Sequence, residues 1–285
     1  SNGLLGSNLT QYLSKYNLGL SVRTTKNIFE DLKYDTNKNL IDLKRKIKKF
    51  NPDIIINTAG LANVDQCEKF PQKAKLSNFT FAANLSKISK SVNAKLIHIS
   101  TDHLFEGKKN YYLETDRPNP VNIYGQTKLD AEKIILKNNK NSIILRTNFF
   151  DWGPLGNPSF LDRIYNKLKV NREVFLFDDV FFNPLSIKEL SKILEILFNK
   201  NINGILNVTS NEQISKYDFG LKIAEIYNFN KKLIIPISKK ELKITKRPNN
   251  LSLSNKKIKK ILKIKFKKIN KMLLDLKNSR NENKN

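Results

Sequence analysis

A chain of 285 residues with one cysteine can have no intramolecular disulfide framework, so its stability must come from a buried core. That cysteine, Cys67, sits in no redox or metal-ligand spacing and is expected to be an inert thiol of a reducing cytoplasm. Histidine is nearly as scarce, with two in the chain, and no cluster of His, Cys and carboxylates has metal spacing, so no metal is expected. No apolar run approaches the ~18 residues of a membrane span, and the first residues lack the basic-then-apolar order of a signal peptide. A cytoplasmic protein with no membrane partner is the expectation.

Acidic residues are also few: 26 against 52 basic ones, a net charge of +26. Such an excess invites a nucleic-acid reading. Only 8 of the 52 are arginine, however, and the lysines are spread along the chain rather than gathered in a patch. The densest basic run, residues 255–273, interleaves Ile258, Ile261, Leu262, Ile264 and Phe266, which predicts an amphipathic helix and strand with a solvated basic face. No nucleic-acid partner is expected. With 39% hydrophobic residues, 17 Phe and 9 Tyr, the chain is apolar enough for a large core.

Apolar runs of strand length alternate with helical patterns. Strands are expected over 18–24, 53–60, 94–102 and 142–148, and helices over 40–50, 74–92 and 124–137. Near-continuous Ile and Leu runs joined by helices mean an α/β fold, a doubly wound parallel sheet with strands buried on both faces. Ligands bind beyond the carboxyl ends of such strands. The rhythm breaks after Asn148: residues 149–160 read as a loop, 161–169 as a helix, 172–184 as strand-rich, 187–198 as a helix, and 204–210 as a strand rejoining the sheet. Residues 211–285 add helices, one over 217–227. We therefore expect a dinucleotide-binding domain from 1–148 and 185–210, and a smaller substrate-binding domain from 149–184 and 211–285.

The opening stretch "SNGLLGSNLTQYLSKYN" places Gly3 and Gly6 before apolar residues at helical spacing, the back half of a phosphate-cradling loop and its helix. The strand that should precede such a loop is absent, so a truncated first strand is expected. The pair Tyr124 and Lys128, four apart on one helix face, can set an ammonium beside a phenol and bring its ordinary pKa of ~10 towards neutrality. A hydroxyl from Ser100 or Thr101, at the end of the preceding strand, can hold a substrate oxygen.

On these motifs, with "NPDIIINTAGLANVDQCE", "HISTDHLFEG", "ILRTNFF" and "RPNNLSLSNKKI", the sequence resembles the extended short-chain dehydrogenases, and within them the dTDP-4-dehydrorhamnose reductase branch of sugar-nucleotide reductases. The resemblance implies a Rossmann-type fold, NAD(P)H as cofactor, and reduction of a keto group on a nucleotide-sugar substrate of polysaccharide biosynthesis. It implies Thr101, Tyr124 and Lys128 as the catalytic set. Asn2, Gly3, Leu4, Leu5 and Gly6 would lie at the cofactor's pyrophosphate, with Asn57, Thr58, Ala59 and Ser100 alongside. Asn148 and Phe149 would lie by the nicotinamide or sugar, and Asp102, His103, Asp65 and Arg247 would face the substrate.

Arg247 reads equally well as a diphosphate clamp or as half of a surface ion pair, and His98, in an apolar strand, reads as a packing residue. Two departures fall in the sugar-facing part: Phe149 stands where the branch has Trp, and "FFNPLS" where it has Gly-x-Pro-Thr. The sugar is thus not named by the sequence. Arg23 at the end of the second strand, with Lys26 close by and no carboxylate before Glu30, favours NADPH over NADH. A homodimer is the oligomeric expectation. His103, where a dehydratase would carry an acid, disfavours that activity; an epimerase and a non-catalytic NADP-binding regulatory subunit remain as alternatives.

Overall fold

The computed structural model describes residues 3–19, 21–22, 32–33, 40–242 and 245–282. Helix α1 (Leu4–Tyr12) buries Leu5 and Leu9. Strands β1 (Ser21–Val22) and β2 (Leu32–Lys33) pair in parallel. Of the strand expected over 18–24, Leu18 and Gly19 are irregular, and Arg23 and Thr24 lie outside the described residues. Helix α2 (Leu40–Phe50) is amphipathic and buries Leu43 and Ile47.

Strand β3 (Ile54–Asn57) leads into α3 (Val64–Lys69), α4 (Pro71–Ala74), a π-helical turn (Lys75–Thr80) and α5 (Phe81–Ser91). One helix was expected over 74–92; the π turn that interrupts it carries Asn78. The buried amide of Asn78 accepts from Leu61 N at 2.7 Å and donates to Leu61 O and to the Thr127 hydroxyl. The wider turn therefore ties the loop after β3 to the next helix of the sheet.

Strand β4 (Lys95–Ile99), helix α6 (Ile123–Asn138) and strand β5 (Ile143–Arg146) follow. Then come β6 (Phe149–Phe150), α7 (Phe160–Lys169), β7 (Val174–Phe177), β8 (Phe181–Phe182), β9 (Leu185–Ser186), α8 (Ile187–Phe198) and β10 (Gly204–Asn207). The main sheet has the order β10-β5-β4-β3, all parallel, so its carboxyl ends share one edge. Ile97, Ile143, Ile144 and Leu145 are fully buried, as continuous apolar strands require, whereas Ile54 to Ile56 of β3 are half-buried.

The expected loop at 149–160 begins with a strand, since β6 pairs in parallel with β9. Strand β11 (Ile214–Ser215), helix α9 (Lys216–Tyr227) and strand β12 (Ile234–Ile237) add two further pairs, β11 with β8 and β12 with β7. The strand expected after the basic helix does not form. Helix α10 (Lys256–Leu262) ends at Lys263, whose left-handed φ of 52° turns the chain, and α11 (Ile269–Glu282) starts soon after. Ile264 and Phe266 pack singly against the core instead of pairing. Among the described residues no helix is long and apolar enough to cross a membrane.

Candidate active site

The polar residues at the carboxyl ends of β3, β4 and β5 converge beside the first turns of α6. Ser100 continues the β4 ladder through its N–H to Leu145 O, and Ser100, Thr101 and Asp102 are all buried. The Ser100 hydroxyl donates to Glu132 at 2.5 Å, and Glu132 is held by Arg146 through Nε at 3.1 Å and Nη2 at 2.7 Å. Both charged partners are 2% exposed, so this ion pair is a buried brace. It commits Ser100 to the fold, whereas the Thr101 hydroxyl donates to Asp102 Oδ1 at 3.2 Å and accepts from His103 N.

Helix α6 is set in place at its N-terminus. Asn122 caps it by accepting from Gly125 N at 2.8 Å, and Ile123 N donates to Glu68 at 2.7 Å. Gly125 is the contact point: a Cβ there would collide with the His103 carbonyl oxygen and stand 2.9 Å from Pro120 Cβ. The glycine lets α6 lie against the chain that follows Thr101, so that the Thr101 hydroxyl acts on the Tyr124 phenol. The Tyr124 and His103 rings meet edge to face at 5.5 Å.

Tyr124 and Lys128 share a helix face, but their chemistry differs from the sequence expectation. Burial pushes the Tyr124 phenol well above its ordinary value, with the Thr101 hydrogen bond opposing. Lys128 is itself lowered by burial to about 8, against the pull of Glu132. Its amine turns towards β4, bonding Ile99 O at 2.6 Å and His98 Nε2 at 3.0 Å. His98 is thus buried as expected, yet it contacts the Lys128 amine rather than only packing.

The remaining candidates divide. Asn148 donates to Asp102 Oδ2 at 2.6 Å and so positions that carboxylate. Phe149 lies in β6, half-buried against the core. Arg247 pairs with Asp65 at 2.8 Å and, with His103, Phe160 and Val180, helps to line a cavity of about 340 Å³. Arg247 is thus in an ion pair, and its Nε is buried without a partner among the described residues. Burial and the neighbouring Lys216 and Arg247 lower the His103 pKa, while Asp102 raises it.

Lys216, the first residue of α9, was missed by sequence reasoning. It lines the same cavity, with Nζ 3.1 Å from the Phe182 ring centroid and 5.3 Å from that of Phe160. Burial lowers its pKa to about 7, with Asp102 opposing. A lysine at a helix start gives no periodic signal, so only the fold reveals it.

A dinucleotide fits the other side of the site. Among the described residues helix α1 has no side-chain cap, Gly3 is extended, and the space its Cβ would take is open, so the first N–H groups of Leu4, Leu5 and Gly6 suit a phosphate. At the end of β3, Asn57 accepts from Ala59 N at 3.1 Å, with Thr58 between them half-buried. Asn2 and Arg23, the other cofactor candidates, lie outside the described residues.

The family described as "RmlD substrate binding domain" matches residues 1–279. A dTDP-4-dehydrorhamnose reductase from Bacillus anthracis, solved with NADP, superposes with a TM-score of 0.85 at 25% identity, covering 96% of this chain and 95% of that one. A hypothetical dTDP-4-dehydrorhamnose reductase from Sulfolobus tokodaii superposes at 0.80 and 31% identity, covering 94% of each chain. Among curated proteins, the methionine adenosyltransferase 2 subunit beta of Xenopus laevis is 31% identical over 244 residues, 78% of this chain and 70% of that protein. A match over nearly the whole length, on a fold whose strand ends gather a threonine, a tyrosine and a lysine, places the chain in the RmlD substrate binding domain family, among the NAD(P)-dependent sugar-nucleotide reductases of the short-chain dehydrogenase type.

Proposed function

We propose that Thr101, Tyr124 and Lys128 carry out the reduction of a keto group on a nucleotide-activated sugar. What supports this is one juxtaposition: the Tyr124 phenol, with the Thr101 hydroxyl acting on it, meets the ring of His103, which lines the same cavity as Lys216 and Arg247. Bound NAD(P)H would supply hydride to the carbonyl carbon. The chain's part is proton and charge. Thr101 donates a hydrogen bond to the ketone oxygen, and Tyr124 delivers the proton that turns it into a hydroxyl. Lys128 supplies the positive charge that lets the phenol release it. Lys216 and Arg247 are the diphosphate clamp, with Asp65 holding the Arg247 fork.

NADPH is the preferred cofactor on the strength of Arg23, and a higher affinity for NADH at moderate salt would overturn that choice. The cavity draws its lining from both of the segment-built domains expected from the sequence, with His103 from one and Lys216 from the other, and a homodimer belongs to the same proposal. Incubation with NADPH and a panel of keto-sugar nucleotides, followed by absorbance, tests the activity: consumption of reduced cofactor is expected. A second reading is favoured by one observation, the likeness to a protein named as a subunit of methionine adenosyltransferase. Under it the chain binds cofactor and a partner enzyme without turnover. Tight NADPH binding with no consumption on any keto-sugar would favour that reading over the reductase.

A further inference from the structure

His98 is fully buried, and both of its ring nitrogens are engaged inside the protein. Nδ1 lies 3.0 Å from Asn57 Nδ2, and Nε2 lies 3.0 Å from Lys128 Nζ. The Asn57 amide is held in one orientation by the Ala59 N–H, which donates to its Oδ1. Its Nδ2 therefore donates, and His98 Nδ1 accepts. In a neutral imidazole the proton then sits on Nε2, aimed at Lys128. Burial, the larger cause, holds His98 well below the usual imidazole range, so the ring is neutral.

An ammonium has three donors and no acceptor, so it would oppose N–H to N–H at this contact. A neutral amine fits: its lone pair accepts from Nε2–H while one of its hydrogens goes to Ile99 O. We propose that His98 is a positioning residue that holds Lys128 as the neutral amine in the free protein, and that charging this lysine requires His98 to carry its proton on Nδ1 and Asn57 to turn its amide over. The balance is one proton taken from solvent onto Lys128 Nζ. His98 exchanges one tautomer for the other, and the turned Asn57 accepts from Nδ1–H, which releases the Ala59 N–H at the end of β3. Charge on the catalytic lysine is thereby tied to a free backbone donor on the cofactor side of the site.

The other groups around the amine do not remove the conflict. Glu132, on the same helix, favours the ammonium but is already bonded to Arg146 and Ser100. Tyr124 is a neutral phenol, and Asp102 and Cys67 act on that phenol rather than on the amine. Burial lowers Lys128 to about 8, in the same direction as the tautomer argument.

The inference rests on the reductase reading for the role of Lys128, and its test needs neither cofactor nor activity. The chain has two histidines, so their ring nitrogens are resolved by 15N NMR with assignment from His98→Gln. The free protein should show His98 protonated on Nε2 and bare on Nδ1. In Asn57→Asp the carboxylate accepts from both Ala59 N–H and Nδ1–H, so the proton should move to Nδ1. The lysine 13Cε signal that Lys128→Met removes should titrate at about 8 or below in the wild type and rise by ~1 unit or more in Asn57→Asp. An Nδ1–H or doubly protonated His98 in the wild type, or a Lys128 signal titrating with the bulk lysines, overturns the proposal whether or not the variants fold. A tautomer unchanged in folded Asn57→Asp overturns it too. Failure of the reductase reading would instead show as absent NADPH consumption.

Discussion

Replacing Gly125 with alanine sets helix propensity against packing, and packing should win. Alanine is favoured over glycine inside a helix by ~1 kcal/mol, so an exposed position on α6 would gain by the change. At Gly125 the new methyl would press on the His103 carbonyl oxygen and lie 2.9 Å from Pro120 Cβ. Both are parts of the backbone or a proline ring, which cannot rotate aside as a flexible side chain would. Overpacking of this kind costs ~1–3 kcal/mol, and with rigid neighbours the upper part of that range applies, leaving a net loss of ~1–2 kcal/mol after the propensity gain. Relief would move the segment after Thr101 away from α6, and with it the Thr101 hydroxyl away from the Tyr124 phenol. A misplacement of ~1 Å at reacting groups is worth about 100-fold in turnover. Urea unfolding and kcat on a keto-sugar nucleotide measure the two effects, with Gln126→Ala on the exposed side of the same turn as the control. A Gly125→Ala protein more stable than the wild type and within about twofold of its kcat would refute the claim that this contact sets the site.

Tyr124→Phe should lower kcat on the order of 100-fold or more with KM and unfolding midpoint nearly unchanged; near-normal turnover would remove Tyr124 from its role. Lys216 carries its charge below its lowered pKa of about 7, so the kcat/KM of the wild type should fall as pH rises through that region. In Lys216→Met the value should be low throughout and this step should vanish, as read from a pH series of initial rates. Asp151, 1% exposed and raised by burial to about 6, binds its proton more tightly in the folded than in the unfolded state. The sign follows: its burden on stability is fully present above about pH 6 and fades as pH falls towards the ordinary carboxylate value. Asp151→Asn should therefore stabilise the protein near neutrality by ~1–3 kcal/mol, keep its contacts with Tyr12 and the Trp152 N–H, and gain little near pH ~4 in urea unfolding; equal gains at both pH values would contradict the cause assigned.

Periodicity alone located the parts of the fold that depend on local pattern. Helices α2 and α8 run over the expected residues because their apolar positions repeat at helical spacing and bury one face. Strands β4 and β5 follow from unbroken runs of Ile and Leu, and the Tyr124–Lys128 pair follows from its spacing of four. What could not be read are interactions between distant residues. The residues of the Asn78 clamp are 17 and 49 positions apart, so a π turn inside one helical pattern gave no local sign. Ile264 and Phe266 alternate as a strand would, but Lys263 turns the chain and among the described residues no strand pairs with them. The direction of the Lys128 amine was hidden for the same reason: its partner His98 is 30 residues away on another element.

The two adjacent hydroxyls of "STD" show how the fold resolves a choice that the sequence leaves open. Side chains alternate along a strand, so His98 and Ser100 lie on one face of the β4 line, and both address α6, through Lys128 and Glu132. Thr101 falls on the other side of that alternation, beyond the last residue of β4, where its Oγ1 accepts from His103 N and approaches Asp102 and the Tyr124 phenol. The buried Arg146–Glu132 pair then removes the ambiguity: a serine hydroxyl already donating to a buried carboxylate would leave that charge undersatisfied if it turned to a substrate, a loss worth ~1–3 kcal/mol. Of two hydroxyls adjacent in sequence, the fold thus gives Ser100 to the brace and sets Thr101 beside the Tyr124 phenol.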